Sequence, residues 1–294
     1  MAVYKRNYKA WSGRLTPEWS RFLILTRYAW RYIFRSRFMA IFLIVCLIPP
    51  LIMGLGLYLN HSDSLLKLLH LPAGRILITD IPKYLKNFLQ IELGFATLLV
   101  AFAAPAMISP DLGNNALPLY FCRPFTRMEY ILGKFCVIAW LVTIVSAIPG
   151  LILFGIEAGL SGATWTWDNL WLAGAVTVGS LAEVVALSLL GLALSAWVKW
   201  KPIAGALVLG VFFLGAGFGA AINAVAHTTA GYYINIAYIL EVLWTKLFAF
   251  KGGTFGANGG TEISLAGALI QLCVLCGFCL FLLHRKTRAF EVIR

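Results

Sequence analysis

Residues 38–59 read FMAIFLIVCLIPPLIMGLGLYL, which is 22 residues without a charged side chain. An α-helix rises about 1.5 Å per residue, so roughly 20 apolar residues cross a bilayer core about 30 Å thick. Five further stretches reach that length, at about 88–109, 131–156, 172–198, 203–226 and 263–283. The sequence therefore predicts an all-α membrane protein with six transmembrane helices.

The composition supports burial in lipid. The chain has 294 residues, of which 61% are hydrophobic and 12% are charged. A soluble domain of this size could not hide so much apolar surface, whereas helices in lipid satisfy their own backbone groups. The six cysteines lie in predicted spans or in the loop between the second and third spans, so no extracytoplasmic disulfide is expected.

Basic residues lie mostly on one side of the predicted spans. Nine Lys and Arg residues fall in 1–37. If both termini are cytoplasmic, that side holds 18 of the 24 basic residues, counting Lys134, and the outer loops hold 6. The sequence therefore predicts a multi-pass cytoplasmic (inner) membrane protein with both termini cytoplasmic. The net charge of +12 does not indicate nucleic-acid binding, because basic residues beside a span typically contact anionic lipids.

Residues 1–37 predict a cytoplasmic segment with an amphipathic interfacial helix that begins at Thr16-Pro17-Glu18. Its arginines share one face and its large apolar residues another, so it should lie in the membrane interface; packing on a partner protein is the alternative. Residues 38–283 form the predicted transmembrane domain, and 284–294 form a basic cytoplasmic tail.

Residues 232–250 predict a partly buried outer helix before the last span, which is interfacial or dips into the membrane and returns. A seventh span is the alternative, but it would place the basic tail outside. Pro49-Pro50 predict a kink in the first span, and Gly215 with Gly219 predict close approach of another helix to the fifth.

The loop at 110–130 carries the most distinctive motif. Thr126 and Glu129 predict a capping box at the start of the third span. Gly133 and Lys134 follow, and Lys134 is expected to extend its ammonium group toward the membrane interface.

This layout resembles the ABC-2-type permease subunits of ATP-binding-cassette transporters. Members carry an acidic residue and Gly, a short apolar stretch, Arg-Pro, Ser or Thr with Arg, a bulky residue and Gly-Lys. The matching residues here are Asp111, Gly113, 117–121, Arg123-Pro124, Thr126-Arg127, 130–132 and Gly133-Lys134. The chain departs from the pattern at Asp111, where Glu is more usual, and at Ile236, where Pro commonly follows Asn.

The resemblance implies a permease subunit, an exporter, that forms the substrate path together with a second permease chain. ATP and Mg would bind a separate ATPase subunit, and Asp111, Arg123, Arg127 and Glu129 would couple this chain to it. The sequence contains no Gly-x-x-x-x-Gly-Lys-Ser/Thr loop, so no cofactor is expected in this chain.

Glu92 and Glu183 are the acidic residues inside the predicted spans. They are candidates for the substrate pathway or for proton uptake, and hydrogen-bonded helix contacts are the alternative. Cys273, Cys276 and Cys279 could bind a soft metal, but three cysteines on one lipid-embedded helix are expected to act as small apolar residues.

Nucleophile motifs and paired histidine ligands are lacking, so an enzyme is not expected. An ion- or proton-coupled secondary transporter, a membrane-embedded enzyme and a non-transporting assembly component remain the alternatives. The sequence does not identify the cargo, although the apolar interior favours an amphipathic molecule.

Overall fold

The computed structural model describes residues 17, 20–62, 78, 80–114, 116–121, 126–251, 254–255 and 263–288. These residues are almost wholly helical, apart from the antiparallel pairing of Phe250–Lys251 with Thr254–Phe255. The helices are α1 (Arg21–Phe34), α2 (Arg37–Cys46), α3 (Ile48–His61), α4 (Ile81–Gly113), α5 (Leu117–Phe121), α6 (Arg127–Val145), α7 (Ala147–Ser161), α8 (Ala163–Asp168), α9 (Leu170–Trp197), α10 (Lys201–Ala226), α11 (Ile236–Phe248) and α12 (Leu265–Arg288).

Six helical stretches are long and apolar enough to cross a membrane, which confirms the predicted all-α membrane fold. The first span joins α2 and α3, and the third joins α6 and α7. The second, fourth, fifth and sixth spans are α4, α9, α10 and α12. The second and fourth are the most buried and form the centre of the bundle, whereas the sixth is the least buried.

Two spans are interrupted where proline removes a backbone donor. The first breaks at Leu47, just before Pro49 and Pro50, as the sequence predicts. The third breaks at Ser146, three residues before Pro149, which has no N–H to donate to the carbonyl of Val145. The break in the third span places the polar residue Ser146 inside the bundle.

The second span contains two prolines without a break, and α4 continues to Gly113. The predicted loop therefore starts at Asn114 rather than at 110. Pro105 cannot donate to the carbonyl of Ala101, and that carbonyl faces Gly205 of α10, where an added Cβ would lie 2.6 Å from it. The backbone of α10 therefore packs closely against the Ala101 carbonyl that Pro105 leaves without its helical donor.

The spans of the bundle end at two opposite faces. One face, the basic end, carries Arg37, Arg127 and Lys201, and the other, the far end, carries His61 and Ser161. α1 lies at the basic end and runs from Arg21, with Ser20 as its N-cap, and the N–H of Ser20 donates to the carbonyl of Pro17 at 3.1 Å. The predicted start at Thr16-Pro17-Glu18 stays a prediction. Thr16 and Glu18 lie outside the described residues.

The predicted outer helix is α11, which has 13 residues and is largely buried. The turn before it runs along α10, because Gly219 and Gly231 leave room for direct backbone contact and Gly215 faces the carbonyl of Ile234. Trp244 then donates from Nε1 to the carbonyl of Gly179 in α9 at 3.1 Å. This segment thus enters the bundle beside α10 and returns, too short to form a seventh span.

Candidate functional sites

Asp111 binds residues of its own chain at the basic end. Its Oδ2 accepts a hydrogen bond from the hydroxyl of Tyr130 at 2.7 Å and lies 3.0 Å from the ammonium nitrogen of Lys134. Lys134 is buried, and Asp111, close to the end of α4, offers its ammonium group a charged partner. The expectation that Lys134 extends toward the membrane interface stays a prediction. This cluster joins the end of α4 to the start of α6.

The short helix α5 is anchored by one side and exposed on the other. Leu117 is buried, and Tyr120 packs its ring 5.5 Å from that of Tyr130. Burial, and then the negative charge of Asp111, raises the pKa of Tyr120, so its phenol stays neutral. Leu119 projects outward and is 71% exposed.

The start of α6 carries the predicted capping box. Glu129 accepts hydrogen bonds from the backbone N–H of Thr126 at 2.6 Å and from its hydroxyl at 2.8 Å, and Thr126 accepts from the N–H of Glu129. Met128 is 68% exposed beside it, and Arg127 is half-buried. Arg123 lies outside the described residues. The coupling roles of Asp111, Arg123, Arg127 and Glu129 therefore stay predictions.

α1 packs against the same part of α6. Thr26 donates its hydroxyl to the carbonyl of Gly133 at 3.1 Å. An added Cβ at Gly133 would lie 3.1 Å from the carbonyl of Phe22 and 3.2 Å from Leu25, so glycine permits this approach. Tyr32 accepts a hydrogen bond from Lys201 at 3.0 Å. Motion at the basic end would thus be shared by α1, α6 and α10.

The two acidic residues of the predicted spans lie in the centre of the bundle. Glu92 of α4 and Glu183 of α9 are fully buried. Ser146, at the break in the third span, donates its hydroxyl to Glu183 Oε2 at 2.7 Å. The other oxygen of Glu183 and both oxygens of Glu92 have no hydrogen-bond partner among the described residues. The two carboxyl groups are near enough to interact electrostatically.

A groove of about 500 Å³ lies between α4, α10 and α11. Its walls are mainly apolar, and the polar side chains that border it are Gln90, Thr97 and Glu241. Glu241, which is half-buried, brings the outer helix's carboxylate to this surface. Glu92 and Glu183 do not border the groove, and their predicted place in a substrate pathway stays a prediction.

A polar cluster at the far end joins the first and third spans. The hydroxyl of Ser161 donates to Glu157 Oε1 at 2.8 Å. The Nε2 atom of His61 lies 3.2 Å from that hydroxyl and 3.6 Å from the same carboxylate oxygen, while its Nδ1–H donates to the carbonyl of Leu57 at 3.2 Å. Glu157 is buried, so the cluster closes the far end of the interface between α3 and α7.

Sequence reasoning missed the residues of this far-end cluster, because His61 is separated from Glu157 and Ser161 by about a hundred positions. Glu157 lies just beyond the third predicted span. An acidic residue at that position was the one feature of the sequence that could have indicated a polar cluster at this end. Within the described ranges, no three His, Cys, Asp or Glu side chains could hold a metal together. Cys273 and Cys276 are at least partly exposed, and Cys279 is buried.

No protein-family model matches the chain, and no curated protein matches it either.

Proposed function

We propose that this chain is the permease subunit of an ATP-driven exporter of the ABC-2 type. It forms a substrate path in the membrane with a second permease chain, and it receives energy from a separate ATPase through the basic end. This face lies in the cytoplasm under the proposal, together with both termini. ATP and Mg bind the partner, and this chain supplies no catalytic residue.

The observation that carries the proposal is the exposed apolar pair Leu119 and Met128 at the basic end. Both side chains lie on segments that contacts within the chain hold in place. Leu117 and Tyr120 anchor α5, and the capping box stabilises the start of α6. Exposed apolar side chains beside half-buried Arg127 are suited to the core of a protein interface. A rigid docking element of this kind can transmit a push from a partner.

The contacts around that element support force transmission into the spans. The Tyr120–Tyr130 ring contact joins α5 to the third span, and the Asp111–Lys134 ion pair joins the third span to the second. Thr26 and Gly133 link the third span to α1. A force applied at α5 would therefore move α4 and α6 together with α1, as alternation between two packed arrangements requires.

The groove between α4, α10 and α11 supports an amphipathic cargo. Its apolar walls suit a hydrocarbon or aromatic body, and the carboxylate of Glu241 with the amide of Gln90 suits a polar group. A second permease chain would complete the path.

The test is recovery of the ATPase. The tagged full-length chain is isolated from native membranes in mild detergent, and co-purifying proteins are identified by mass spectrometry. We expect a protein with a Gly-x-x-x-x-Gly-Lys-Ser/Thr phosphate loop. The double variant Leu119→Asp/Met128→Asp should lose it, whereas Trp167→Asp, an equally exposed apolar position at the far end, should retain it. Equal recovery with all three proteins would reject this docking element.

A proton-coupled secondary transporter is the second candidate, and the buried pair Glu92 and Glu183 favours it. Purified chain in liposomes separates the two. Cargo uptake that needs ATP and the partner supports the exporter, and uptake driven by a proton gradient with this chain alone supports the alternative.

A further inference from the structure

Two buried glutamates at the centre of the bundle have more carboxyl oxygens than hydrogen-bond donors that reach them. Glu92 and Glu183 are both 0% exposed, and together they carry four carboxyl oxygens. One of these accepts a hydrogen bond from Ser146, and three have no partner in the described part of the chain. Buried polar atoms are normally paired, so this deficit needs a physical explanation.

Neither Glu92 nor Glu183 takes part in an ion pair among the described residues, where Asp111 pairs with Lys134 and His61 lies beside Glu157. Cys46 of α2 is a buried ionisable group near Glu92, and Ser146 is the residue of the third span that donates a hydrogen bond to Glu183. On the other neighbouring helices, Glu241 of α11 borders the groove and Lys286 of α12 lies over Trp197.

Two ionised carboxylates at these positions would carry two charges in a low-dielectric interior without a basic partner in the described ion pairs. A single charge at the centre of a membrane helix costs about 3 kcal/mol on insertion scales, and mutual repulsion adds to that cost. A buried acid in such a place takes up a proton instead. The protonated acid also gains a donor hydrogen, which the unpartnered oxygens lack.

We propose that Glu92 and Glu183, with Ser146 at the break in the third span, form a proton-binding site inside the bundle that holds one proton on each carboxyl group in this conformation. The site goes beyond the proposed transport function and does not depend on the identity of the cargo. The break at Ser146 matters because a shift of α6 against α7 would withdraw the one hydroxyl donor from Glu183. Proton release then requires the α4–α9 packing to open to water.

A metal cation is a poorer occupant. Among the described residues no group of three His, Cys, Asp or Glu side chains could hold a metal, and Ca²⁺ takes more oxygen ligands than two carboxyl groups and one hydroxyl provide. One monovalent cation would also leave a net negative charge buried. Two protons neutralise the site without further ligands.

The test is infrared spectroscopy of the purified full-length chain at neutral pH. A protonated carboxyl group shows a carbonyl stretch that is distinct from carboxylate bands and shifts on exchange into D₂O. We expect this band in the unmodified protein. Glu92→Gln and Glu183→Gln should each remove one of the two contributions, and the double variant should remove both.

Glu241→Gln is the matched control, because that carboxylate borders the groove, and it should leave the band unchanged. Size-exclusion elution establishes that each variant is folded. A band of equal intensity in the unmodified protein and the double variant would overturn the proposal, as would a band that Na⁺ abolishes. Neither outcome bears on recovery of the ATPase, so this test fails or succeeds separately from the proposed function.

Discussion

Replacing Asp111 by alanine tests whether the basic end is held together from inside. The Lys134 side chain is 8% exposed and that of Asp111 is 16% exposed, so the ammonium group would remain buried without its partner. Tyr130 is fully buried, and its hydroxyl would lose the hydrogen bond that it donates to Asp111. Removal of one partner of a buried ion pair costs about 3–5 kcal/mol, compared with about 0–1 kcal/mol for an exposed pair.

The assay is reversible unfolding in mixed micelles with increasing denaturing detergent. A loss of about 3 kcal/mol lowers the equilibrium constant for folding by roughly two decades. Asp111→Ala/Lys134→Met removes both charges and should recover most of the loss, because an apolar chain of similar length replaces the ammonium group. Asp168→Ala, which removes an exposed carboxylate, should change stability by less than about 0.5 kcal/mol. If Asp111→Ala behaves like this control, the internal ion pair does not hold α4 to α6.

Three further substitutions test the packing by the same unfolding assay. Gly191→Ala places a methyl group against a valine and an alanine of α4 and should cost about 1–3 kcal/mol, whereas Gly174→Ala in the same helix meets nothing within 4 Å and should not destabilise; equal effects would contradict the close crossing. Trp244→Phe removes the indole N–H that donates to the carbonyl of Gly179 and should cost about 1 kcal/mol, and an unchanged midpoint would argue against the inserted position of α11. Thr126→Ala removes the capping box and should cost about 1 kcal/mol, with no loss expected if the start of α6 is frayed.

The spans could be predicted from sequence because lipid imposes one simple requirement, a long apolar stretch. The breaks were partly predictable. Pro49 and Pro50 indicated the interruption of the first span, yet Pro105 lies inside a continuous helix because α10 packs on the carbonyl it frees. The effect of a proline in a membrane helix therefore depends on a neighbour that the local sequence does not reveal.

Capping chemistry was predictable for a similar reason, since Thr126 and Glu129 act over three residues. The Asp111–Lys134 pair and the far-end cluster around His61 form only when helices that are distant in sequence pack together. The spacing of residues within one helix does not predict them. The same limit applies to Glu92 and Glu183. The sequence shows that both are acidic residues inside predicted spans. Their electrostatic interaction and their lack of hydrogen-bond donors become visible only in the packed bundle.

The central claim is that the surface around Met128 receives energy from a separate ATPase in the cytoplasm. The most direct measurement is photo-cross-linking in native membranes from an ultraviolet-activated amino acid placed at position 128. The account predicts a cross-linked product that contains a phosphate-loop ATPase, and no such product when the same amino acid is placed at position 167. Cross-linking of that ATPase from position 167 alone, or labelling of a cysteine at 128 by an impermeant reagent in intact cells, would contradict it.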